Sequence, residues 1–572
     1  MQLFHTSRAM SAVFDEANLV SSSGLVPVLG LARSAGLHEL AQHHLSVPTD
    51  KGANAGLKVA SLVAGMVAGA DSIDDLALLR HGGMGRVFNH AYAPSTLGSF
   101  LRAFTFGHVR QLDAVASRFL TRLATRAPLI AQSAGPGGRV LVDIDDTIIE
   151  VHGHTKQGSG YGYSGVRGLN ALLATLSTAE SAPVVVAQRL RKGSCGSPRG
   201  AARLVADALK TVSNLTPAPP AAKPLVRADS AFYTHATIGA AVRAGADVSV
   251  TVRANPKVKA AIAAIGDDAW TPIEYTDAVF DEQANRWVSQ AEVAEIEFTA
   301  FTKKPKPEQV PGRLVVRRIP DLNPGKNGGQ ATLFDTWRFH AFFTTTNPHD
   351  ADTVTADKTH RAHAIIEQVH ADLKHSALAH LPSAKFTANA AWLVLAVIAF
   401  NLTRAAATIT GPTLAKATTA TIRRTLITIP ARIATSARQI TLHLPTNWPW
   451  KQAWTTLFTR VCGPPEPAWV WWRHDLTTER ESCLHRRSTT WRLSSGPCGC
   501  IWTGWPRTMA SRSWLPVPRS VSCWGSTRPR CVTGSAAMLV RAPRPRCRAS
   551  RPRPRWSGCA QRLLGCGGRT RS

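Results

Sequence analysis

One stretch of the chain, residues 139–253, carries an order of strand and helix patterns that few folds accommodate. Apolar runs typical of strands cover Arg139–Ile149, Leu169–Leu176 and Pro183–Leu190. An amphipathic helical pattern follows at Arg199–Val212, and a further short apolar run closes at Asp229. Three successive strands, a helix and another strand predict an α/β fold, in which a mixed sheet is flanked by helices.

The charge of the chain indicates a polyanionic partner. The 572 residues carry a formal net charge of +30, and the pI is about 10.6. Double-stranded DNA is the partner that such a basic chain of this length favours. The N-terminus lacks a charged region followed by an apolar one, and the longest apolar stretch, Ala390–Phe400, is too short to span a bilayer. We therefore expect a soluble cytoplasmic protein without a membrane partner.

The changes of pattern along the chain predict five segments. A helical domain that binds DNA or dimerises is expected over residues 1–135. The sheet core is expected in two parts, residues 139–254 and 346–440, separated by a β-rich insertion at residues 255–345. The second part includes an apolar helix, Ala388–Leu402, expected to back the core. The last segment, residues 461–572, has a different composition.

Three acidic residues occupy positions from which carboxylates can converge. Asp145 and Asp229 each close an apolar strand pattern, and Glu367 lies on a helical pattern from His360 to His375. Carboxylates from two strand ends and one helix can hold two divalent cations through oxygen, and such cations promote attack on a phosphodiester. Asp143 lies on the same strand face as Asp145 and is the alternative first ligand. Asp229 could instead cap a helix, and Glu367 could be a solvated helix residue.

The composition changes abruptly near residue 461. From there to Ser572 the chain has 20 Arg, four acidic residues and no Lys, and it holds nine of the 16 Trp and nine of the 10 Cys. No period of 2 or 3.6 persists, so we expect this tail to be disordered. One interpretation is a basic tail that attracts DNA phosphates. The other, which the excess of residues with GC-rich codons favours, is translation out of frame.

Several motifs of the chain resemble the DDE transposases of bacterial insertion sequences, most closely those of the thirteen-eighty insertion-sequence family. The motifs are Ser95-Thr96-Leu97, Asp143-Ile144-Asp145-Asp146-Thr147, Gly162–Asn170 within a glycine-rich hairpin loop, Val226–Ser230 and the helix of Glu367. The resemblance covers roughly residues 20–440. In this family a Y-x2-R-x3-E-x6-K signature surrounds the glutamate; here it reads His360, His363, Glu367 and Lys374, so that both Tyr and Arg are replaced by His.

The resemblance implies a fold, a reaction and a partner. The expected core is an RNase H-like sheet, and the expected reaction is cleavage of element ends followed by joining of the 3′-OH to target DNA. Asp145, Asp229 and Glu367 would be the catalytic metal ligands for two Mg²⁺ ions, with Mn²⁺ able to substitute. The family's phosphate contacts would fall to Lys374, His363, His360 and Arg361, all on one helix. Catalysis would take place in a synapse of two protomers with the element's terminal inverted repeats and target DNA, near the bacterial nucleoid. The alternatives are an inactive DNA-binding relic and an RNase H-like nuclease without strand transfer.

Overall fold

The computed structural model describes residues 10–463 except 90, 131–138, 154, 178–181, 216–221, 274–279, 282–285, 288–290, 321–336 and 437–438. The segment predicted as a disordered tail, 461–572, therefore lies outside the described residues from residue 464 onward. Its first residues, however, complete a helix that begins at Lys451 and ends at Cys462. The change in composition near residue 461 thus coincides with the last residues of this helix.

The N-terminal part consists of short helices and one two-residue strand. Its elements are β1 (Leu19–Val20), α1 (Leu25–Ser34), α2 (Leu37–His44), α3 (Thr49–Gly52), α4 (Ala55–Ala68), the 3₁₀ helix Asp74–Arg80, α5 (Met84–Val87), α6 (Pro94–Arg102) and α7 (Phe106–Ala124). Gly36 has φ +77° and separates α1 from α2, because this left-handed conformation is accessible to glycine and ends a helix.

The predicted strand–helix order of residues 139–253 is present. Its elements are β2 (Leu141–Glu150), β3 (Gly160–Tyr161), β4 (Arg167–Ser177), β5 (Val184–Lys192), α8 (Ala201–Leu215), β6 (Leu225–Ala228), the 3₁₀ helix Ser230–Phe232, α9 (His235–Arg243) and β7 (Asp247–Thr251). β4 lies antiparallel between β2 and β5, whereas β2, β6 and β7 are parallel neighbours. The strand order is therefore β5–β4–β2–β6–β7. β4 is buried along almost its whole length and is mostly apolar, as expected of a strand covered on both faces.

The β-rich insertion continues this sheet. It comprises α10 (Pro256–Ala263), the 3₁₀ helices Asp267–Ala269 and Lys306–Glu308, β8 (Thr271–Ile273), β9 (Phe280–Asp281), β10 (Arg286–Trp287), β11 (Ala291–Ala300), β12 (Val310–Pro320) and β13 (Trp337–Thr344). β13 pairs antiparallel with β7, and β12, β11 and β8 follow in that order. Within the described residues, the sheet that carries Asp145 thus has ten strands, with β3 paired to the start of β4.

The C-terminal part is mainly helical, with two short strands before its last helix. Its elements are α11 (Thr353–Arg361), the 3₁₀ helix Ala362–Ala364, α12 (Ile365–Lys374), α13 (Phe386–Ile409), α14 (Pro412–Ala415), α15 (Thr419–Ile422), the π-helical turn Arg423–Ile427, β14 (Ala431–Ser436), β15 (Gln439–His443) and α16 (Lys451–Cys462). β14 pairs with both β1 and β15, which joins the two ends of the described chain in a small sheet.

Helix α13 is the centre of the hydrophobic core. It is longer than the apolar stretch from which it was predicted, and its 24 residues are long and apolar enough to cross a membrane by length and composition alone. In this fold, 94% of its most apolar window is buried, where it contacts α4, α6, α7 and β5. The same continuous core includes side chains of the N-terminal helices and of the sheet. α13 therefore connects the N-terminal helices to the sheet through packing in the hydrophobic core.

Candidate active site

The parallel pairing of β2 with β6 places Asp145 beside Asp229. The pairing runs from Leu141 opposite Leu225 to Ile144 opposite Ala228, where β6 ends. Asp145 and Asp229 are the next residues on the two strands, although 83 residues separate them in the chain. Asp229 also caps the short 3₁₀ helix that follows, since its Oδ1 accepts a hydrogen bond from Ala231 N–H at 3.0 Å. The capping role considered for Asp229 is therefore present alongside its position next to Asp145.

Asp143 has a different environment and is neutralised by the protein itself. Arg227 Nε donates to Asp143 Oδ1 at 2.6 Å, and Arg227 Nη2 donates to Oδ2 at 2.7 Å. His363 Nδ1 lies 3.0 Å from the same Oδ1. The Asp143 side chain is fully buried, so both oxygens are committed to internal partners. This arrangement favours Asp145 over Asp143 as the first ligand, because Asp143 has no exposed oxygen to offer.

Asp146 is also neutralised, on the other face of β2. Its carboxylate forms an ion pair with Arg191, and it accepts hydrogen bonds from Asn170 Nδ2 at 2.7 Å and from Ser197 Oγ at 3.1 Å. Of the acidic side chains at positions 143, 145, 146 and 229, two are thus paired with a buried arginine. Among the described residues, Asp145 and Asp229 have no arginine or lysine partner.

Burial dominates the electrostatics of Asp145 and Asp229. Burial raises the pKa of Asp145 to about 7, and the charges of Asp146 and Asp229 add to the rise, against a backbone hydrogen bond and the charge of His363. Burial likewise raises the pKa of Asp229, with a further contribution from Asp146. Ionised carboxylates that are partly buried close together repel one another, and a bound cation would relieve that repulsion.

Helix α12 packs against β2 and carries Glu367. Spacings of three and four residues place Glu367, His370 and Lys374 on one face of this helix. His370 Nδ1 lies 3.6 Å from Asp145 Oδ2, so this face is directed toward β2. The Glu367 side chain is exposed. Among the described residues, no three Asp, Glu, His or Cys side chains lie close enough to hold a metal ion together, so the structure does not gather Asp145, Asp229 and Glu367 into one cluster.

The helix predicted from His360 to His375 is divided, and its four signature positions do not share one face. α11 ends at Arg361, and the 3₁₀ helix Ala362–Ala364 separates it from α12. The prediction that His360, His363, Glu367 and Lys374 share a helix is therefore wrong. The 3₁₀ turn that divides the helix is held by contacts with a residue distant in sequence. Arg227 Nη1 donates to the carbonyl of Thr359, and Nη2 donates to that of Ala362 at 3.4 Å, which fixes the chain at the break.

His360 lies away from the position expected of a phosphate contact. Its ring stacks on Phe342 of β13 with 4.1 Å between ring centroids. Its Nδ1 is 2.8 Å from Ser249 Oγ, and its Nε2 is 3.0 Å from Thr251 Oγ1. Burial lowers the pKa of His360 to about 3, so the ring is neutral. Both nitrogens are engaged within the protein, which corrects the expectation of DNA contact; Arg361, the next residue, is exposed.

His370 was not expected from the sequence. It is buried, its Nε2 has no hydrogen-bond partner among the described residues, and its Nδ1 faces Asp145. Burial lowers its pKa to about 4, with the charges of Lys374 and His363 adding to the effect. A neutral imidazole beside Asp145 does not offset the carboxylate charge. The spacing of three residues from Glu367 was the available signal, since it places His370 on the same helix face.

The comparisons with known proteins identify the family of the chain. The family model described as "Transposase DDE domain group 1" matches residues 4–463. A search of curated proteins finds no significant match. A solved piggyBac transposase synaptic complex with hairpin DNA is similar at 10% identity, over 79% of this chain and 84% of that one, but its TM-score of 0.35 is too low to support an argument. The family match spans most of the chain, including every acidic residue considered above, and the chain therefore belongs to the Transposase DDE domain group 1 family.

Proposed function

We propose that this transposase cleaves the ends of an insertion element and joins the freed 3′-OH to target DNA by two-metal-ion phosphoryl transfer. The observation that carries the proposal is the Asp145–Asp229 pair, two neighbouring carboxylates that form no ion pair with an arginine or lysine among the described residues, in a chain of the DDE transposase family. The protein neutralises the adjacent Asp143 and Asp146 with arginines but leaves this pair to an external cation.

The residues present fit divalent cations of the Mg²⁺ type. Asp145 and Asp229 supply oxygen ligands, and burial, which raises the pKa of both, disfavours their ionised forms unless a cation is bound. Glu367 is proposed as the third ligand; its exposed side chain lies on the helix face shared with His370, which reaches Asp145. When bound, two such ions would activate the attacking oxygen and stabilise the leaving 3′ oxygen. Mg²⁺ is the proposed ion, with Mn²⁺ as a substitute.

The basic residues around the pair are suited to the DNA backbone. Lys374 is half-buried and follows Glu367 on the same face, and the charge of Asp145 acts on it. His363 acts electrostatically on both Asp145 and Asp229. We assign phosphate contacts to these two residues and to the exposed Arg361. His360 has no such role, because its ring is occupied by Phe342, Ser249 and Thr251.

The strand order supports a more specific assignment of the fold. Three antiparallel strands followed by two parallel ones, β5–β4–β2–β6–β7, are the arrangement expected of an RNase H-like core. We propose that core here, with β8–β13 as its insertion. The sequence motifs further point to the thirteen-eighty insertion-sequence family, and hence to a bacterial cytoplasmic enzyme that acts as a homodimer on two element ends. The assignments to this family, to a bacterial cytoplasm and to a homodimer rest on sequence resemblance.

A catalytically inactive DNA-binding relic is the second candidate function. Two observations on the signature residues favour it. His replaces both the Tyr and the Arg of the signature, and His360 is directed into the protein, where it contacts Ser249 and Thr251. An inactive relic would retain DNA binding while losing strand cleavage. The two functions therefore differ in one measurable property.

The test is cleavage of a duplex that carries the terminal inverted repeat flanking the gene, with the full chain and Mg²⁺. We expect the wild-type chain to nick the repeat end and join it to a second duplex, and we expect Asp229→Asn to bind the same DNA without cutting it. Asp268→Asn, which changes an exposed aspartate in the insertion, is the matched control and should cut normally. Tight, salt-sensitive binding by the wild-type chain without cleavage in Mg²⁺ or Mn²⁺ would establish the relic instead.

A further inference from the structure

The hairpin between β3 and β4 exposes two aromatic rings. Tyr161 is 67% exposed and Tyr163 is 78% exposed, and Val166 on the same hairpin is also exposed. An exposed aromatic ring beside a groove offers a contact surface to a ligand, and only one of these two rings has that position. Nothing in the packing of the core requires these rings, since neither of them belongs to the hydrophobic core.

One of the two tyrosines borders a groove that lies against the candidate active site. The groove has a volume of about 400 Å³ and is bounded by the β2 segment Thr147–Glu150, by the hairpin residues Tyr163, Ser164 and Val166, and by Lys374, Leu378 and Ala379. Neither carboxylate borders the groove, but Thr147 follows Asp145 by two residues on the same strand, so the groove lies next to Asp145 along β2. Tyr161 does not border it.

The electrostatics agree with this proximity. Burial raises the pKa of the Tyr163 hydroxyl, and the charges of Asp146, Asp145 and Asp229 raise it further. The phenol therefore stays protonated at neutral pH and is a poor nucleophile. What Tyr163 offers to a ligand is the face of its ring, with Lys374 supplying a cation in the same groove.

An aromatic face and a cation in one groove match the chemistry of a nucleotide, whose base stacks and whose phosphate is anionic. A base inside a duplex has both faces covered by its neighbours, so only a base that has left the stack can reach the ring. We infer that Tyr163 stacks on the unpaired base next to the scissile phosphate, so that the hairpin holds a DNA end whose last base pairs are opened. This inference rests on the proposed function and names the form of DNA that the site accepts.

Photocross-linking tests the contact independently of cleavage. Duplex ends carrying 5-iodouracil at single positions across the cleavage site are bound to the full chain in Ca²⁺, irradiated and mapped by mass spectrometry. We expect a cross-link from the nucleotide beside the scissile phosphate to Tyr163. It should be retained in Tyr163→Phe, which keeps the ring, and lost in Tyr163→Ala. Tyr161→Ala, which changes an equally exposed ring on the same hairpin outside the groove, is the matched control and should retain the cross-link.

Cleavage rates supply a second readout. Loss of one base-stacking contact should slow cleavage of a fully paired end by roughly 5- to 100-fold in Tyr163→Ala. Tyr163→Phe and Tyr161→Ala should stay near the wild-type rate, and a mismatch that opens the end beforehand should restore part of the rate of Tyr163→Ala. Absence of a Tyr163 cross-link overturns the inference, whether or not the wild-type chain cleaves. A Tyr163 cross-link in a chain that never cleaves supports the inference and refutes only the proposed enzymatic function.

Discussion

Asp143 and Arg227 form a two-point ion pair between adjacent parallel strands, with N–O distances of 2.6 and 2.7 Å. Both side chains are almost completely excluded from solvent. Two residues further along the same strands lie Asp145 and Asp229, which have no such pairing. The two strands thus carry a neutral ion pair, Asp143 with Arg227, which we call the inner layer. The two carboxylates Asp145 and Asp229 form the outer layer. We expect the inner layer to stabilise the fold and the outer layer to destabilise it when no metal is bound.

The inner layer should determine stability. Asp143→Ala leaves the buried Arg227 guanidinium without its carboxylate, and removing one partner of a buried pair costs about 3–5 kcal/mol. We expect urea denaturation to show a loss of that order for Asp143→Ala and no comparable loss for Asp145→Ala. An Asp143→Ala chain with wild-type stability but no cleavage would instead identify Asp143 as the metal ligand.

The outer layer should destabilise the chain in a pH-dependent manner. The pKa of Asp145 is raised to about 7 in the folded state, so ionisation opposes folding: stability is greatest below the unfolded pKa and falls as pH rises toward 7. Asp145→Asn, which resembles the protonated form, should therefore melt higher than wild type at pH 8 in a chelator, by a margin that shrinks at pH 5.

Divalent metal should reduce that difference in melting temperature. A cation that binds the folded Asp145–Asp229 pair stabilises wild type by mass action and does less for Asp145→Asn. Scanning calorimetry at pH 8 with increasing Mg²⁺ should bring the wild-type melting temperature toward that of the variant. An equal response of both chains to Mg²⁺ would mean that the ion acts elsewhere.

Glu367 can be tested with little risk to the fold, because its side chain is exposed. We expect Glu367→Gln to melt like wild type, to bind repeat-end DNA and to lose strand cleavage. Gln368 is the exposed next residue on α12, and Gln368→Ala is the control that should keep full activity. Normal cleavage by Glu367→Gln would remove this residue from the proposed ligand set.

The end of the folded chain can be located by truncation. Trp454 and Leu457 of α16 are buried, and α16 contacts α1. A chain that ends at Pro449 loses these contacts and should be less stable by on the order of 3–5 kcal/mol. A chain that ends at Gly463 should melt like the full chain and lose only non-specific DNA affinity. If the full chain melts several degrees higher than the Gly463 truncation, residues 464–572 contain a folded domain, and translation out of frame has to be abandoned as their origin.

Much of the sheet could be predicted because its strands are mostly apolar. The predicted strands at 169–176 and 183–190 overlap β4 and β5. Asp229 directly follows the end of β6, as predicted, but Asp145 lies inside β2, which continues to Glu150, so the prediction that Asp145 closes its strand is wrong. The register of β2 on β6 nevertheless makes the two residues neighbours. The Asp143–Arg227 pair could also have been predicted from the sequence. Arg227 precedes Asp229 by two residues as Asp143 precedes Asp145, so parallel pairing places the two opposite each other.

The break between α11 and α12 could not be predicted in this way. Residues 360–375 contain neither Gly nor Pro, and their local pattern is helical throughout. The break depends on groups distant in sequence, namely Arg227, which binds the carbonyls at the break, and Ser249 and Thr251, which hold His360. Tertiary contacts of this kind override local helix preference.

The pairing of β13 with β7 also determines where residues can be added to or removed from the chain without moving Glu367. Thr344 lies opposite Ser249, and His360, on the helix that follows, binds Ser249 and Thr251 and stacks on Phe342. Slippage by two residues would displace the chain by about 6.6–6.8 Å and break all three contacts. Residues added to or removed from the segment between β7 and β13 need not disturb that register. Relatives of this chain can therefore differ widely in the size of the insertion and still place the glutamate helix at the same height on the sheet.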